Sequence, residues 1–438
     1  MVSRMASLGL ERNGRARKGV ASLLLLGLLL PAPVGTTFAQ NADRGASFET
    51  TAKQALLLDY ETRTVLFERN ADQSIHPASL AKIMTAALAF REVKEGRLKP
   101  EQDMIASTDA WRRGGAVAGG PNMLITPNKV VKVGELLTGL VVGSANDAAI
   151  VLAENISGTE ARFTEAMNAH ARDLGLANTR FANATGLGPG DNQRTTLRDM
   201  VSLSTYLIER YPESYALFAQ RDMPFGRNRQ QSRNPLLTME IGADGLLTGT
   251  TPEGTHQLVG SAVQDGRRLI VAVAGLESVQ ERALEARKLL EWGFRRFELR
   301  SLFPAGTRVG EASVYGGSSG FVQLKVAQDL RLPILRASQN QASLRVVYRG
   351  PVLAPIAEGQ AIAKLEILVE NRVIQTVPLM AAEAVPKGSV LARAQDAALE
   401  LSRQGFIKGF RWLGEKIGFG TRVPEKAPAP AAPTASAR

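Results

Sequence analysis

Apolar residues recur with two periodicities along the first two thirds of this chain, one typical of strands and one typical of helices. Short apolar runs at Ala55–Leu58 and Thr64–Phe67, joined by a polar link, predict a strand hairpin. The runs Leu258–Val263 and Leu269–Val273 flank an Asp-Gly pair, which is a strong signal for a second hairpin. Leu246–Thr250 is predicted to be a further strand beside them. Together these runs indicate an antiparallel sheet.

Helical periodicity fills the intervals between these strands. A broad apolar stripe predicts a helix from Ser79 to Val93, and two more helices are predicted at Val133–Val142 and Asp147–Ile156. A fourth is predicted from Glu281 to Phe297. Helices that flank an antiparallel sheet define an α+β domain, and we expect this domain to span residues 46–298.

Beyond residue 300 the pattern changes to short β-rich runs. Val322–Val326, Ser343–Val347 and Ala363–Val369 are separated by Gly, Pro and Asn, which predicts a small all-β domain over residues 301–388. Two domains suit the length of 438 residues, because single hydrophobic cores stop growing beyond about 250–300 residues.

The two ends of the chain have their own signatures. Residues 1–39 run from basic through apolar to small, which predicts a secretory signal peptide cleaved after Ala39. The alternative, an uncleaved anchor, requires a longer apolar run than Val20–Leu30.

Residues 391–420 predict an amphipathic helix with basic residues and Trp412 around an apolar face. Such a helix either packs on its own protein or lies on a membrane surface, and we favour the membrane. The Pro/Ala-rich residues 421–438 are predicted to be disordered.

Composition narrows the chemistry that the chain can perform. There is no cysteine, so thiol catalysis, disulfides and Cys-ligated metals are excluded. The three histidines form no H-x-x-x-H pair, which argues against a zinc site, and we expect no cofactor. A net charge of +11 favours anionic partners, but no nucleic-acid recognition motif accompanies it. Catalysis is therefore expected to rest on Ser, Lys and carboxylate side chains.

Three short strings carry candidate chemistry. Ser79 and Lys82 are three residues apart at the start of a helix, where they share a face, and an amine of lowered pKa can activate a hydroxyl. Taken alone, this string is better explained by a capping serine and a solvated lysine. Ser144 and Asn146 project to one side if their segment is extended, although a turn between two helices also suits them. Gly249, after Thr248, would let a substrate backbone approach an edge strand.

In their order and spacing these strings resemble the S-x-x-K, S-x-N and K-T-G motifs of penicillin-binding proteins and serine β-lactamases. The chain is most similar to the D-alanyl-D-alanine carboxypeptidases, the low-molecular-mass penicillin-binding proteins, over about residues 46–390. Further strings support this likeness: His76-Pro77-Ala78-Ser79, Leu136-Leu137, Asn146-Asp147-Ala148, Asn183-Ala184-Thr185-Gly186-Leu187, Asn234-Pro235-Leu236-Leu237 and Asp244-Gly245. The resemblance implies a penicillin-binding/β-lactamase-like transpeptidase domain followed by the all-β domain.

The resemblance also implies a reaction, the hydrolysis of the terminal D-Ala-D-Ala bond of peptidoglycan stem peptides through an acyl-enzyme. Ser79 would be the nucleophile and Lys82 its base. Ser144 would relay a proton to the leaving amine, and Asn146 would hold the Lys82 side chain and the substrate amide. Backbone N–H groups of Ser79 and Thr250 would form the oxyanion hole.

The likeness assigns the substrate carboxylate to Thr248 and to Arg282, although a solvated helix residue is the alternative for Arg282. One position departs from the family pattern, because Leu247 stands where the third motif has lysine. A missing cation of this kind is worth on the order of 2–4 kcal/mol of catalysis. Two alternatives therefore stay open, namely a weakened or inactive peptidoglycan-binding scaffold and a serine β-lactamase.

The expected setting follows from the same likeness and from the two termini. The protein would be exported to the periplasmic face of the bacterial inner membrane and held there peripherally by the C-terminal amphipathic helix. Its partners would be peptidoglycan stem peptides, with β-lactam antibiotics as covalent inhibitors and no nucleic acid.

A second serine string also matches a known motif. Gly316-Gly317-Ser318-Ser319-Gly320 fits the G-x-S-x-G nucleophile elbow, which requires a following helix and a later histidine. A strand is predicted after it at Phe321–Val326, and all three histidines come earlier in the chain. We therefore predict a glycine-rich hairpin loop at this position.

Overall fold

The computed structural model describes residues 48–188, 192–225, 228–336, 343–369 and 372–389. The predicted signal peptide, the C-terminal amphipathic helix and the Pro/Ala-rich tail lie outside these residues. The described residues form two compact units. The first lies within residues 48–302 and includes 331–336, and the second lies within 303–330 and 343–389.

The helices and strands are numbered in chain order. The helices are α1 (Lys82–Lys94), α2 (Thr108–Gly114), α3 (Val133–Val141), α4 (Asn146–Ser157), α5 (Glu160–Asp173), α6 (Leu197–Arg210), α7 (Pro212–Tyr215) and α8 (Val279–Arg296). The strands are β1 (Gln54–Asp59), β2 (Val65–Arg69), β3 (Asp103–Ile105), β4 (Val130–Lys132), β5 (Asp222–Phe225), β6 (Asn228–Gln231), β7 (Ala243–Thr250), β8 (His256–Gln264), β9 (Arg267–Leu276), β10 (Phe297–Phe303), β11 (Arg308–Tyr315), β12 (Phe321–Val326), β13 (Leu330–Leu335), β14 (Ser343–Val347), β15 (Val352–Leu353), β16 (Ala361–Val369) and β17 (Arg372–Ala381).

A five-stranded antiparallel sheet in the order β2-β1-β9-β8-β7 is the centre of the first unit. The two predicted hairpins are confirmed as β1–β2 and β8–β9. Asp265 and Gly266 join β8 to β9 with φ angles of 50° and 76°. Positive φ at both central positions is the property of the tight turn that an Asp-Gly pair favours. The predicted third strand is β7, which lies at the edge of the sheet.

Strand β9 shows why this sheet needs helices on both faces. Leu269, Val271 and Val273 enter one apolar cluster with residues of α8. Their alternate neighbours, from Ile270 to Ala274, enter a second cluster with α1, α3, α4 and α6. Successive side chains of a strand point to opposite faces, so a strand that is apolar at every position is buried on both. Each large apolar side chain buried here contributes about 1.5–3 kcal/mol.

The predicted helices are also confirmed, with small changes at their ends. The predicted helix at Ser79 begins with a 3₁₀ turn, Ala78–Ala81, and becomes α-helical at Lys82. Helix α8 starts at Val279, where Ser278 caps it by accepting a hydrogen bond from the backbone of Glu281.

The second unit is built on a six-stranded sheet in the order β14-β16-β17-β12-β11-β15. Residues alternate between buried and more exposed along β12, as in a sheet with one face on a core. The Gly316–Gly320 string joins β11 to β12, and the backbone N–H of Val314 donates to Gly320 O at 2.8 Å. A strand follows this loop, so the prediction of a hairpin loop rather than a nucleophile elbow is confirmed.

Two features are absent from the part of the chain that the structure describes, a membrane-spanning helix and a metal-binding cluster. No helix there is long and apolar enough to cross a membrane. Likewise, no group of three or more His, Asp or Glu side chains in those residues could hold a metal ion.

Candidate active site

Ser79 and Lys82 meet because a 3₁₀ turn leads into helix α1. Side chains three residues apart lie directly above one another in a 3₁₀ turn. The Nζ atom of Lys82 is 3.0 Å from Ser79 Oγ, and it also donates to the backbone carbonyl of Thr185 at 3.2 Å. Ser79 is half-buried and open to solvent on one side. The pair therefore has the geometry of a hydroxyl and its base.

The Lys82 side chain is fully buried. Burial disfavours the ammonium form and lowers the pKa of Lys82 to about 7; the Asp147 carboxylate acts in the opposite direction, and the Arg233 guanidinium lowers the pKa further. Burial likewise raises the pKa of Asp147, against hydrogen bonds from the backbone N–H groups of Met123 and Ile125. At neutral pH a substantial fraction of Lys82 is thus an uncharged amine, which is the form that can accept a proton.

Ser144 and Asn146 lie in the link between α3 and α4. The expectation of an extended segment is wrong for Ser144, whose φ of 53° is left-handed, and Asn146 is already the first residue of α4. The chain has only a few residues in which to reverse direction between two helices, and a left-handed residue makes that reversal. Among the described residues, Ser144 Oγ and both polar atoms of the Asn146 amide are buried without a hydrogen-bond partner.

The expected contact between Asn146 and Lys82 is not formed. Lys82 donates to Thr185 O instead, while Asn146 lies beside the backbone of Gly120: a Cβ added at Gly120 would be 3.4 Å from Asn146 Nδ2. Thr185 belongs to the Asn183–Leu187 string, for which the sequence predicted no role. Every residue type has a backbone carbonyl, so the sequence could not indicate this partner of Lys82 and only the fold reveals it.

Edge strand β7 carries the third motif. The admission of a substrate backbone at Gly249 stays a prediction, and within the chain Gly249 permits a close approach of two other segments. A Cβ added there would lie 3.0 Å from Gln257 Nε2 and 3.3 Å from Ala78 Cβ. The absent side chain therefore allows β7 to pack against the turn that bears Ser79. Thr250, at the end of β7, is exposed, and its Oγ1 is 3.1 Å from His256 Nδ1.

Leu247 is buried in the apolar cluster between the sheet and the helices. Its neighbour Thr248 donates from Oγ1 to the backbone carbonyl of Arg233 at 3.4 Å, and the backbone N–H of Arg233 donates to Val142 O at 3.1 Å. Arg233 thus joins the third motif to the end of α3, just before Ser144. The guanidinium of Arg233 acts on Lys82. Arg233 was not predicted to belong to the site, although it directly precedes the Asn234–Leu237 string.

Arg282 lies in the first turn of α8 and is almost completely buried. Its Nη1 atom is 3.5 Å from Gly249 O, and its Nε atom has no partner among the described residues. Burial lowers the pKa of Arg282 to about 10, so the guanidinium stays charged at neutral pH. A buried cation with a free donor next to β7 is suited to binding a carboxylate.

The structure therefore brings the predicted site residues together in two directly bonded groups, Ser79 with Lys82 and Gly249 with Arg282. The contact of Gly249 with Ala78 joins the two groups, and Arg233 connects Thr248 to the link that holds Ser144. The site therefore combines a hydroxyl beside an amine with a buried cation.

Comparison with known proteins identifies the family. The model of the D-alanyl-D-alanine carboxypeptidase family matches residues 37–278. The chain belongs to the D-alanyl-D-alanine carboxypeptidase family. Residues 297–387 match the model of the penicillin-binding protein 5 C-terminal domain, so the predicted order of an α+β domain followed by an all-β domain is confirmed.

Known proteins of this family are similar to this chain over more than half of its length. D-alanyl-D-alanine carboxypeptidase DacC of Escherichia coli is 35% identical over 368 residues, which cover 83% of this chain and 90% of the relative. Penicillin-binding protein 5 from Haemophilus influenzae is similar in structure, with a TM-score of 0.70 and 33% identity over 78% of this chain and 99% of that one. The ampicillin-bound penicillin-binding protein D2 of Listeria monocytogenes covers 57% of this chain and 99% of its own, at 30% identity and a TM-score of 0.51.

The lowered pKa of Lys82 leads to a testable prediction about how labelling depends on pH. The rate at which a fluorescent penicillin labels the protein should rise with pH through about 7, as Lys82 loses its proton. Arg233→Gln removes a cation that disfavours the ammonium, so the midpoint should move to higher pH by up to about one unit. Arg229→Gln is the matched control, because Arg229 pairs with Asp222 at 2.9 Å. Equal midpoints for all three proteins would contradict the effect of Arg233.

Proposed function

We propose that this protein is a serine-type D-Ala-D-Ala carboxypeptidase that removes the terminal D-alanine from peptidoglycan stem peptides through an acyl-enzyme. The observation that carries the proposal is the 3.0 Å contact between Ser79 Oγ and the amine of Lys82, whose pKa burial lowers to about 7. A solvated lysine at this position would keep its proton at neutral pH and could not serve as a base. Membership of the family supports the choice of substrate.

Acylation would begin with transfer of the Ser79 hydroxyl proton to the free electron pair of Lys82 Nζ. Ser79 Oγ then bonds to the carbonyl carbon of the penultimate D-alanine, and the C–N bond to the last D-alanine breaks. Ser144 would return the proton from Lys82 to the departing amine. Water then cleaves the ester, which regenerates the Ser79 hydroxyl and releases the shortened peptide.

Substrate binding would use the groups that line this cleft. The stem peptide would add along the free edge of β7, while Asn146 bonds a substrate amide. Thr248 and Arg282 would hold the terminal carboxylate, and backbone N–H groups of Ser79 and Thr250 would stabilise the oxyanion. The free Nε donor of Arg282 and the unpaired amide of Asn146 support these roles.

Leu247 keeps the scaffold alternative open. A leucine buried in the apolar cluster contributes no charge to the cleft. Arg233 and Arg282 remain as cations near Lys82 and Gly249, which favours a working enzyme whose rate is reduced. For the β-lactamase alternative, a carboxylate that activates water is required. Asp147 does not suit that task, because it is buried and accepts hydrogen bonds from three backbone N–H groups.

We further propose that residues 1–39 direct export and that residues 391–420 hold the protein on the periplasmic face of the inner membrane. The boundaries of the catalytic domain at 46–298 and of the β domain at 301–388 belong to the same proposal. The order of basic, apolar and small residues at the amino terminus supports export, and the basic amphipathic pattern of the carboxy-terminal segment supports the anchor.

The nucleophile is tested by mass spectrometry after treatment with penicillin. We expect a long-lived adduct on Ser79, and Ser79→Ala should lose both the adduct and D-alanine release from a diacyl-D-Ala-D-Ala peptide. Ser318→Ala, in the glycine-rich loop of the second unit, is the matched control and should keep both. An adduct on another residue would refute the assignment, and rapid turnover of penicillin would favour a β-lactamase.

The effect of Leu247 is tested by restoring the family's lysine. Leu247→Lys should raise D-alanine release about tenfold, which is less than the about 2–4 kcal/mol that such a cation is worth, since Arg233 and Arg282 already supply part of the field. Leu247→Met keeps the volume without the charge and should release D-alanine at the wild-type rate. Thermal unfolding of each variant reports whether the buried lysine disturbs the fold. If neither wild type nor any variant releases D-alanine, the carboxypeptidase proposal is contradicted and the scaffold alternative is favoured.

The anchor is tested by truncation in cells. Removing residues 391–438 should move the protein from the membrane fraction to the soluble fraction, because the apolar face and the basic residues that attract an anionic surface are both lost. The truncated protein should still be labelled by penicillin. If fractionation stays unchanged, residues 391–420 do not form the anchor.

A further inference from the structure

The imidazole of His76 lies between two turns of the active site. Its Nδ1 atom accepts a hydrogen bond from the backbone N–H of Ala78 at 3.0 Å. Its Nε2 atom is 3.1 Å from the backbone carbonyl of Gly188. The ring therefore connects the turn before Ser79 with the segment 183–188.

The first of these turns is strained. Ala78 has a φ of 46°, in the left-handed region that side chains with a Cβ rarely adopt. Such conformations cost on the order of 1–3 kcal/mol and persist only where their surroundings hold them. Ser79 follows Ala78 directly, so whatever holds Ala78 also aims the nucleophile.

Buried groups hold the backbone of this turn from the other side. Gln257 on β8 donates from Nε2 to His76 O at 2.9 Å and to Pro77 O at 2.6 Å. Gly186 packs directly beneath the turn, since a Cβ added there would lie 1.8 Å from Ala78 O. The His76 side chain adds a hydrogen bond to this turn by accepting from the N–H of Ala78.

The second turn orients the base. Thr185 offers its carbonyl to Lys82 Nζ. Gln193 donates from Nε2 to Gly186 O at 3.1 Å and to Leu187 O at 3.2 Å. These bonds use both amide hydrogens, so the 3.1 Å approach of Gln193 Nε2 to His76 Nε2 is a packing contact. One imidazole thus contacts both the turn that presents the nucleophile and the turn that orients its base.

We propose that His76 is a positioning residue for acyl transfer, whose neutral imidazole holds the Ser79 turn against the segment that orients Lys82. The proposal rests on the proposed serine mechanism and deepens it. To accept from Ala78 at Nδ1 and donate to Gly188 at Nε2, the ring must be the neutral tautomer with its proton on Nε2. A second proton would place an N–H on Nδ1 facing the N–H of Ala78, and the bond would be lost.

The test compares three variants of the full chain by their rate of labelling with fluorescent penicillin. His76→Ala removes the acceptor, and we expect a loss of about tenfold to a hundredfold, the scale on which misplaced reacting groups act. His76→Asn keeps an acceptor that can bond the backbone two residues on, so its rate at neutral pH should return to within about threefold of wild type. His170→Gln removes an imidazole from α5, far along the chain from the site, and should leave the rate unchanged.

Rescue by asparagine separates positioning from a general loss of structure, and thermal unfolding should show similar stability for every variant. Equal rates for His76→Ala and wild type would overturn the proposal, as would Ala and Asn variants that are equally slow. If wild type itself is not labelled, the serine mechanism fails as a whole, whereas labelled wild type with an unaffected Ala variant removes only the role of His76.

Discussion

Burial of the Lys82 amine is the constraint on which the rest of the candidate site depends. A charged ammonium without a bonded counter-ion is costly inside a protein, so the group responds by losing its proton near neutral pH. The sheet and the helices around α1 create that burial, because β9 is apolar on both faces and requires cover on each. The same packing that stabilises the fold therefore produces a base beside Ser79.

Two neighbouring charges adjust this base in opposite directions. The Asp147 carboxylate favours the ammonium, and the Arg233 guanidinium disfavours it. Three backbone N–H groups hold Asp147, including that of Met123, so the carboxylate is tied to the loop beside Asn146 rather than to Lys82. Leu247, on β7, adds no charge to this site. The cations Arg233 and Arg282 act near Lys82 and Gly249 from two other segments.

Much of this architecture could be predicted from local pattern. The Asp265-Gly266 turn has the two positive φ angles that its sequence favours, and the Ser79–Lys82 spacing brings hydroxyl and amine together. What the sequence could not reveal depends on contacts between distant segments. The carbonyl of Thr185 that bonds Lys82 lies 103 residues away in the chain, and any residue type could provide it.

Gly249 illustrates the same limit from the opposite side. Its motif suggested room for a substrate, and the structure shows a second use of the missing side chain, the close approach of Gln257 and Ala78. A glycine records that something comes close to the backbone, but its neighbour is decided by tertiary packing. The left-handed φ of Ser144 also escaped prediction, because serine carries no strong preference for that region and adopts it only where two helices must be joined by a short link.

The unpaired polar atoms of the cleft complete the physical picture. A buried donor or acceptor without a partner costs about 1–3 kcal/mol, so folded proteins keep few of them. Ser144, Asn146 and Arg282 each retain such atoms among the described residues. The amide and carboxylate groups of the proposed stem-peptide substrate are partners that these atoms could take. Under the proposed function, binding would recover the free energy that the unpaired atoms cost, which would favour ligands that carry both groups.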